Sequence, residues 1–76
     1  MSYKPEMLKK YSNEARWEHN ACRFATREEA ETFNHDSFRA WKSGPSADEI
    51  IDVRVVESQE PVNYALASGN LVHLQN

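Results

Sequence analysis

The sequence predicts an α+β domain: a small, mostly antiparallel sheet of four to five strands with one helix packed on one face. Three observations carry this expectation. A capped 3.6-residue periodicity runs from Thr26 to Lys42. Alternating, β-branched stretches follow it, at Ile50 to Glu57 and from Val62 to Leu66. Turn residues punctuate the chain at intervals that suit short strands. The 76 residues support one domain, and a domain of that size buries only about 60% of its unfolded surface. Residues 1–6 are expected to form a loose N-terminal arm.

Taken in order, Met7 to Tyr11 reads as a first strand or a frayed arm, and Ser12-Asn13-Glu14 as a turn. Arg16 to Phe24 reads as a strand with Cys22 and Phe24 on one face and Trp17 on the other parity, which calls for a bulge near His19-Asn20 or for two partly covered faces. Thr26 then caps a helix, and Glu29 stands three residues on, where its carboxylate can reach back to the cap's own N–H. Ala30, Phe33, Ser37, Ala40 and Trp41 fall on one face with Phe38 at its edge, opposite Glu28, Thr32, His35 and Arg39. Gly44 and Pro45 stop the helix. In the next strand Ile51, Val53 and Val55 face one way, and Asp52 and Arg54 the other. Ser58 to Pro61 is a turn, Tyr64 and Leu66 continue a strand, and Ala67-Ser68-Gly69-Asn70 is a hairpin signal before a closing strand at Leu71 to Leu74. The expected core is Trp17, Phe24, Phe33, Trp41, Ile51, Val53, Val55, Tyr64 and Leu66.

The run RFATREEAE, with RVVESQEPVNY and GNLVHL downstream, resembles a group of short, uncharacterised proteins of bacteria and their phages. The resemblance covers roughly Trp17 to Leu74. It implies the architecture and a bacterial or phage setting, and it brings no activity with it.

Composition narrows the function classes. A net charge of −3, with acids and bases interleaved, lacks the basic stripe of a protein that neutralises phosphates. The single cysteine, Cys22, allows no internal disulfide, which suits a reducing cytoplasm, the host's if a phage encodes the chain. No apolar run approaches the roughly 18 residues of a membrane span.

Several residue groups invite a chemical role. His19 and Cys22 have H-x-x-C spacing, with His35, Asp36 and His73 as further donors, but a structural zinc site takes four ligands in short paired spacings, so no metal is expected. Cys22 lies near Arg23, His19 and the helix start, but on the face of Phe24, which speaks for a buried thiol over a nucleophile. Glu28, Glu29 and Glu31 crowd an exposed helix start, where no cleft separates their pKa values. Only two glycines, Gly44 and Gly69, are present, and neither stands between a strand and a helix start as a phosphate loop requires. No catalytic residue and no cofactor is therefore expected.

The reading that remains is a non-enzymatic protein-binding module, in a phage accessory or host-modulating role. The outward helix residues Arg27, Glu28, Glu31, His35 and Arg39 form its expected partner surface. A homodimer through an uncovered sheet face is a further expectation. Two alternatives stand beside this reading. One is a nucleic-acid-binding module using Arg16, Arg23, Arg27, Arg39, Lys42 and Arg54 with Trp17 and Tyr64. The other is an acidic mimic of nucleic acid built on Asp48, Glu49, Asp52, Glu57 and Glu60.

Overall fold

The computed structural model describes residues 1–42 and 49–74, with side chains over 1–40 and 49–74. The Gly44-Pro45 stop, Asp48 and the side chains of Trp41 and Lys42 lie outside the described residues. Six elements follow in order: β1 (Ser2–Lys10), β2 (Ala15–His19), α1 (Arg27–Lys42), β3 (Ile50–Ser58), β4 (Tyr64–Ala67) and β5 (Asn70–His73). The five strands are antiparallel, as the alternation predicts, but they form two sheets. One has the order β2-β1-β3, and the other is the β4-β5 hairpin.

The N-terminus departs most from expectation. Residues 1–6 were expected as an arm, yet Ser2 to Glu6 belong to β1, the central strand, pairing with β3 from Ser2↔Ser58 to Glu6↔Arg54. A proline in a central strand normally removes a ladder bond. Here it does not. Tyr3 exchanges both backbone hydrogen bonds with Phe24, at 2.8 and 2.9 Å, so strand alternation turns the nitrogen of Pro5 to that same side. β2 does not reach that position, because its last residue, His19, pairs with Glu6. The missing N–H therefore falls in a gap between β2 and Phe24.

The strand expected over Arg16 to Phe24 is shorter than its pattern. It ends at His19, and the chain then crosses beneath α1, touching the sheet again only at the Tyr3–Phe24 bridge. This break, rather than a bulge within a continuous strand, lets Trp17 and Phe24 occupy different environments. Phe24 is fully buried. It meets Phe33 at 5.5 Å between ring centroids and, with Cys22 and Ala30, makes the centre of the core. Tyr3, Val55, Tyr64 and Leu66 pack around that centre.

A bulge does occur, in β3. Leu8 pairs with Asp52, but Lys9 pairs with Ile50, so Ile51 is the extra residue. The shift overturns the expected alternation. Ile50 is 6% exposed and Ile51 48%.

The helix joint follows its sequence signature with one change. The Glu29 N–H donates to Thr26 Oγ1 at 3.1 Å, as a cap requires. The return contact is made by the Thr26 hydroxyl, which donates to Glu29 Oε1 at 3.1 Å. Glu29 Oε2 instead accepts the N–H of Leu66 at 3.0 Å, tying the helix start to β4. Asn34 is a second departure. It is buried on the inner helix face, and its Nδ2 donates to the Arg54 carbonyl at 2.7 Å. A polar group there is tolerated because it is bonded. Ala40, expected inside, is exposed.

The β4–β5 turn holds Ser68 at φ 53° and Gly69 at φ 82°, the left-handed pair that a two-residue hairpin loop demands. A Cβ at Gly69 would meet nothing within 4 Å, so only backbone strain opposes a side chain there. Gly69→Ala should therefore cost about 1–2 kcal/mol in urea unfolding. Gly69→Asn, which tolerates this region, should cost clearly less. Equal losses for the two variants would contradict the strain account.

Candidate functional site

The most densely bonded part of the molecule joins residues 20–24 to the turn before β4. Arg23 is 5% exposed. Its Nη1 donates to the carbonyls of Asn20 (2.7 Å) and Cys22 (2.8 Å), and its Nε to Glu60 Oε1 (2.9 Å). Asn63 completes the knot. Its Oδ1 accepts the Arg23 N–H at 2.7 Å, and its Nδ2 donates to the Ala21 carbonyl at 2.7 Å. The N–H groups of Asn63 and Tyr64 both donate to the Arg23 carbonyl. Ser2 Oγ donates to the Glu60 carbonyl at 2.7 Å, which brings the start of β1 into the same knot. The Arg23 hydrogen bond and charge hold the Glu60 carboxyl below the usual range. The arrangement is an internal joint, and it removes Arg23 from any surface role.

The helix-free face of the three-stranded sheet is closed by charge and stacking. On β1, Lys4 Nζ stands 3.3 Å from Glu6 Oε2, and Arg54 Nε donates to Glu6 Oε1 at 2.8 Å. The Arg54 guanidinium in turn lies 4.0 Å from the Trp17 ring centroid. Burial alone would push the Glu6 carboxyl up, but the hydrogen bonds and charges of Arg54 and Lys4 outweigh it, and the carboxyl is held low. Trp17 is therefore absent from the core expected for it. Leu8 and Val56 share this face by register and are half-buried.

Of the basic and aromatic residues expected to read nucleic acid, Arg54 and Trp17 meet each other, while Arg16, Arg27 and Tyr64 have partners outside that set. Arg54 covers Trp17, Arg27 lies 5.2 Å from the Tyr3 ring centroid, and Arg16 lies 4.4 Å from that of Tyr11. The Tyr11 hydroxyl donates to Glu18, and Tyr64 is stacked against His73 at 4.8 Å. Among the acids, Glu60 serves Arg23, Glu49 stands 4.0 Å from Lys9, and Asp52 accepts the Val53 N–H at 2.8 Å.

The metal and thiol candidates are dispersed. His19 is exposed while Cys22 is buried. Burial pushes the Cys22 thiol up, and the Arg23 charge only partly opposes this, which disfavours the thiolate. Among the described residues no three His, Cys, Asp or Glu side chains are placed to share a metal ion.

The five helix residues expected to form a partner surface are divided. Arg27 and Glu31 stand on the flank beside β3 and, with Asn34, Val53, Arg54 and Val55, line an open groove of about 340 Å³. Glu28 stands on the opposite flank, where Thr26, Glu29, Thr32, Leu66 and Gly69 line a second groove of about 330 Å³. His35 and Arg39 project between the two, each 3.5 Å from Asp36. Sequence reasoning missed the β3 wall of the first groove. The signal was present, because β3 closes the sheet once β1 is taken as the central strand. No family model, curated protein or solved structure matches the chain, so the surface is read from its own geometry.

Two outcomes follow. Asn63→Ala orphans the Arg23 N–H and the Ala21 carbonyl, and should lower the unfolding free energy by about 2–3 kcal/mol. Asn63→Asp keeps the acceptor and should cost less; a larger loss for the aspartate would refute this division of roles. The second outcome concerns acid. The native Glu6 carboxyl ionises more readily than the unfolded one, so its stabilisation is fully present above the unfolded value of about 4.3 and is lost as pH falls through the lower native value. The stability gap between wild type and Glu6→Gln should therefore shrink as pH is lowered from about 6 to about 3. A gap that stays constant over that range would show that the Glu6 charge does not matter.

Proposed function

We propose that this domain is a non-enzymatic protein-binding module and that its partner segment lies in the groove between α1 and β3. One observation carries the reading: an open groove pairs charged helix residues, Arg27 and Glu31, with the valines of an edge strand. Such a mix of apolar floor and charged rim suits recognition of an extended or helical protein segment. The floor is Val53 and Val55, and the rim charges set the register of what binds. Within this reading Glu28, His35 and Arg39 form the outer margin, and the phage or host-modulating setting supplies the context in which the domain acts by occupancy.

The test compares wild type with Glu31→Arg in affinity capture from cells that produce the protein. Glu31 is exposed and belongs to the groove rim, so the fold should keep its melting temperature. One protein should be retained stoichiometrically by wild type, with affinity at least about tenfold weaker for the variant. Equal retention by both chains would remove the groove from the interface. Retention of nucleic acid alone, with a steep salt dependence, would replace the reading with the nucleic-acid alternative.

A further inference from the structure

The sheet edges of this molecule are treated differently. On β4 the outward N–H groups of Tyr64 and Leu66 donate to the Arg23 carbonyl and to Glu29 Oε2. On β3 two of the outward groups are met by the chain's own side chains. Asp52 accepts the Val53 N–H at 2.8 Å, and Arg27 Nη1 donates to the Val55 carbonyl at 3.4 Å. β2 is five residues long and carries Arg16, Glu18 and His19. Short length and charge are the usual protections of an edge against strand addition.

β5, at four residues, is as short as β2 but lacks the charge. Its sequence, Asn70-Leu71-Val72-His73, is continued by Leu74 and contains no acid, lysine, arginine or proline. Leu71, Val72 and Leu74 are 45%, 41% and 40% exposed. The Leu74 N–H donates to the Asn63 carbonyl at 2.8 Å, on the β4 side. Alternation then points the backbone groups of Val72 and Asn70 to β4 as well, and those of Leu71 and His73 outward. Among the described residues these outward groups have no partner.

We infer that β5 is a self-association edge, and that its occupant is the β5 of a second copy, antiparallel, with the two-fold axis at Val72. The spacing selects this arrangement. The two outward-bonding residues, Leu71 and His73, are symmetric about Val72, so an inverted copy places Leu71 opposite His73 twice and satisfies all four N–H and four C=O groups reciprocally. Val72 then faces its own mate as a non-hydrogen-bonded pair, with Cβ atoms about 4.5–5.5 Å apart, and Asn70 faces Leu74. No like charges meet across the seam. The result is a continuous four-stranded sheet, β4-β5-β5-β4. The length of β5 makes the interface small and the dimer weak and concentration-dependent. The inference does not rest on the groove between α1 and β3.

Sedimentation equilibrium over a wide concentration series tests it. The mass should rise from 8.8 kDa toward twice that value in wild type and in Glu31→Arg. It should stay monomeric in Val72→Lys, which sets two ammonium groups against each other on an exposed position. Two cysteine variants in a Cys22→Ser background fix the register without depending on Val72→Lys folding. Val72→Cys should oxidise to a disulfide-linked dimer, whereas Leu74→Cys, whose mate lies opposite Asn70, should not. A wild-type chain that remains monomeric throughout, a dimer indifferent to Val72→Lys, or equal cross-linking at both positions would overturn the inference. So would amide protection of Leu71 and His73 that arises only with a foreign protein present.

Discussion

The fold depends on the way Asn63 grips the backbone of Arg23. That contact joins residues forty apart in the chain and fixes three things together. It orients the segment that delivers Phe24 to the core, it starts β4, and it places Glu60 against the Arg23 guanidinium. Full burial of a phenylalanine contributes only about 1.5–3 kcal/mol. A domain this small therefore cannot hold Phe24 in place by burial alone, since ordering a single residue costs about 1–2 kcal/mol of backbone entropy. The directional bonds around Arg23 supply what a thin core lacks. They also explain the split sheet. The chain leaving β3 is held at Glu60 and Asn63, so β4 emerges beside α1, where Leu66 bonds Glu29, and pairs only with β5.

The same economy shapes the exposed face of the sheet. A larger protein would cover it with a second layer. Here Lys4, Glu6, Arg54 and Trp17 make a flat lattice of ion pairs and stacking. Isolated surface ion pairs contribute little, with a median of about 0–1 kcal/mol. This one differs because Glu6 is buried and bonded to both cations, and because the guanidinium lies against an indole ring. The lattice makes the face wettable without leaving Trp17 bare. It stands in for part of a second layer.

What was legible in the sequence was local. The cap at Thr26, the inner helix positions Ala30 and Phe33 and the Ser68-Gly69 turn all encode their structure within a few residues, and all appear as read. What was hidden depends on distant partners. The start of the chain reads as an arm because it holds a serine, a lysine, a proline and a glutamate. It forms the central strand because Glu60, Arg54, and the gap beyond His19 make each of those residues acceptable. The bulge at Ile51 is hidden in the same way, since Ile50 and Ile51 are chemically identical and only the register with Lys9 chooses between them. Of the outward helix residues, sequence periodicity found the right stripe. It could not show that β3 would stand beside Arg27 and Glu31 and leave His35 and Arg39 apart.

Edge treatment then connects fold to function. A nine-residue edge strand such as β3 would be a standing hazard if its outward groups were bare. Meeting the Val53 N–H with Asp52 and the Val55 carbonyl with Arg27 interrupts the row in its middle, while the valines stay accessible from the side. Recognition there must act through side chains, which favours a specific segment over any extended chain. β5 presents the opposite case, with bare backbone groups and apolar side chains but a length of only four residues. A short open edge is too small to recruit partners broadly, yet it can meet its own inverted copy at every group. The two surfaces thus divide the available chemistry, with side-chain selection on one edge and backbone self-pairing on the other.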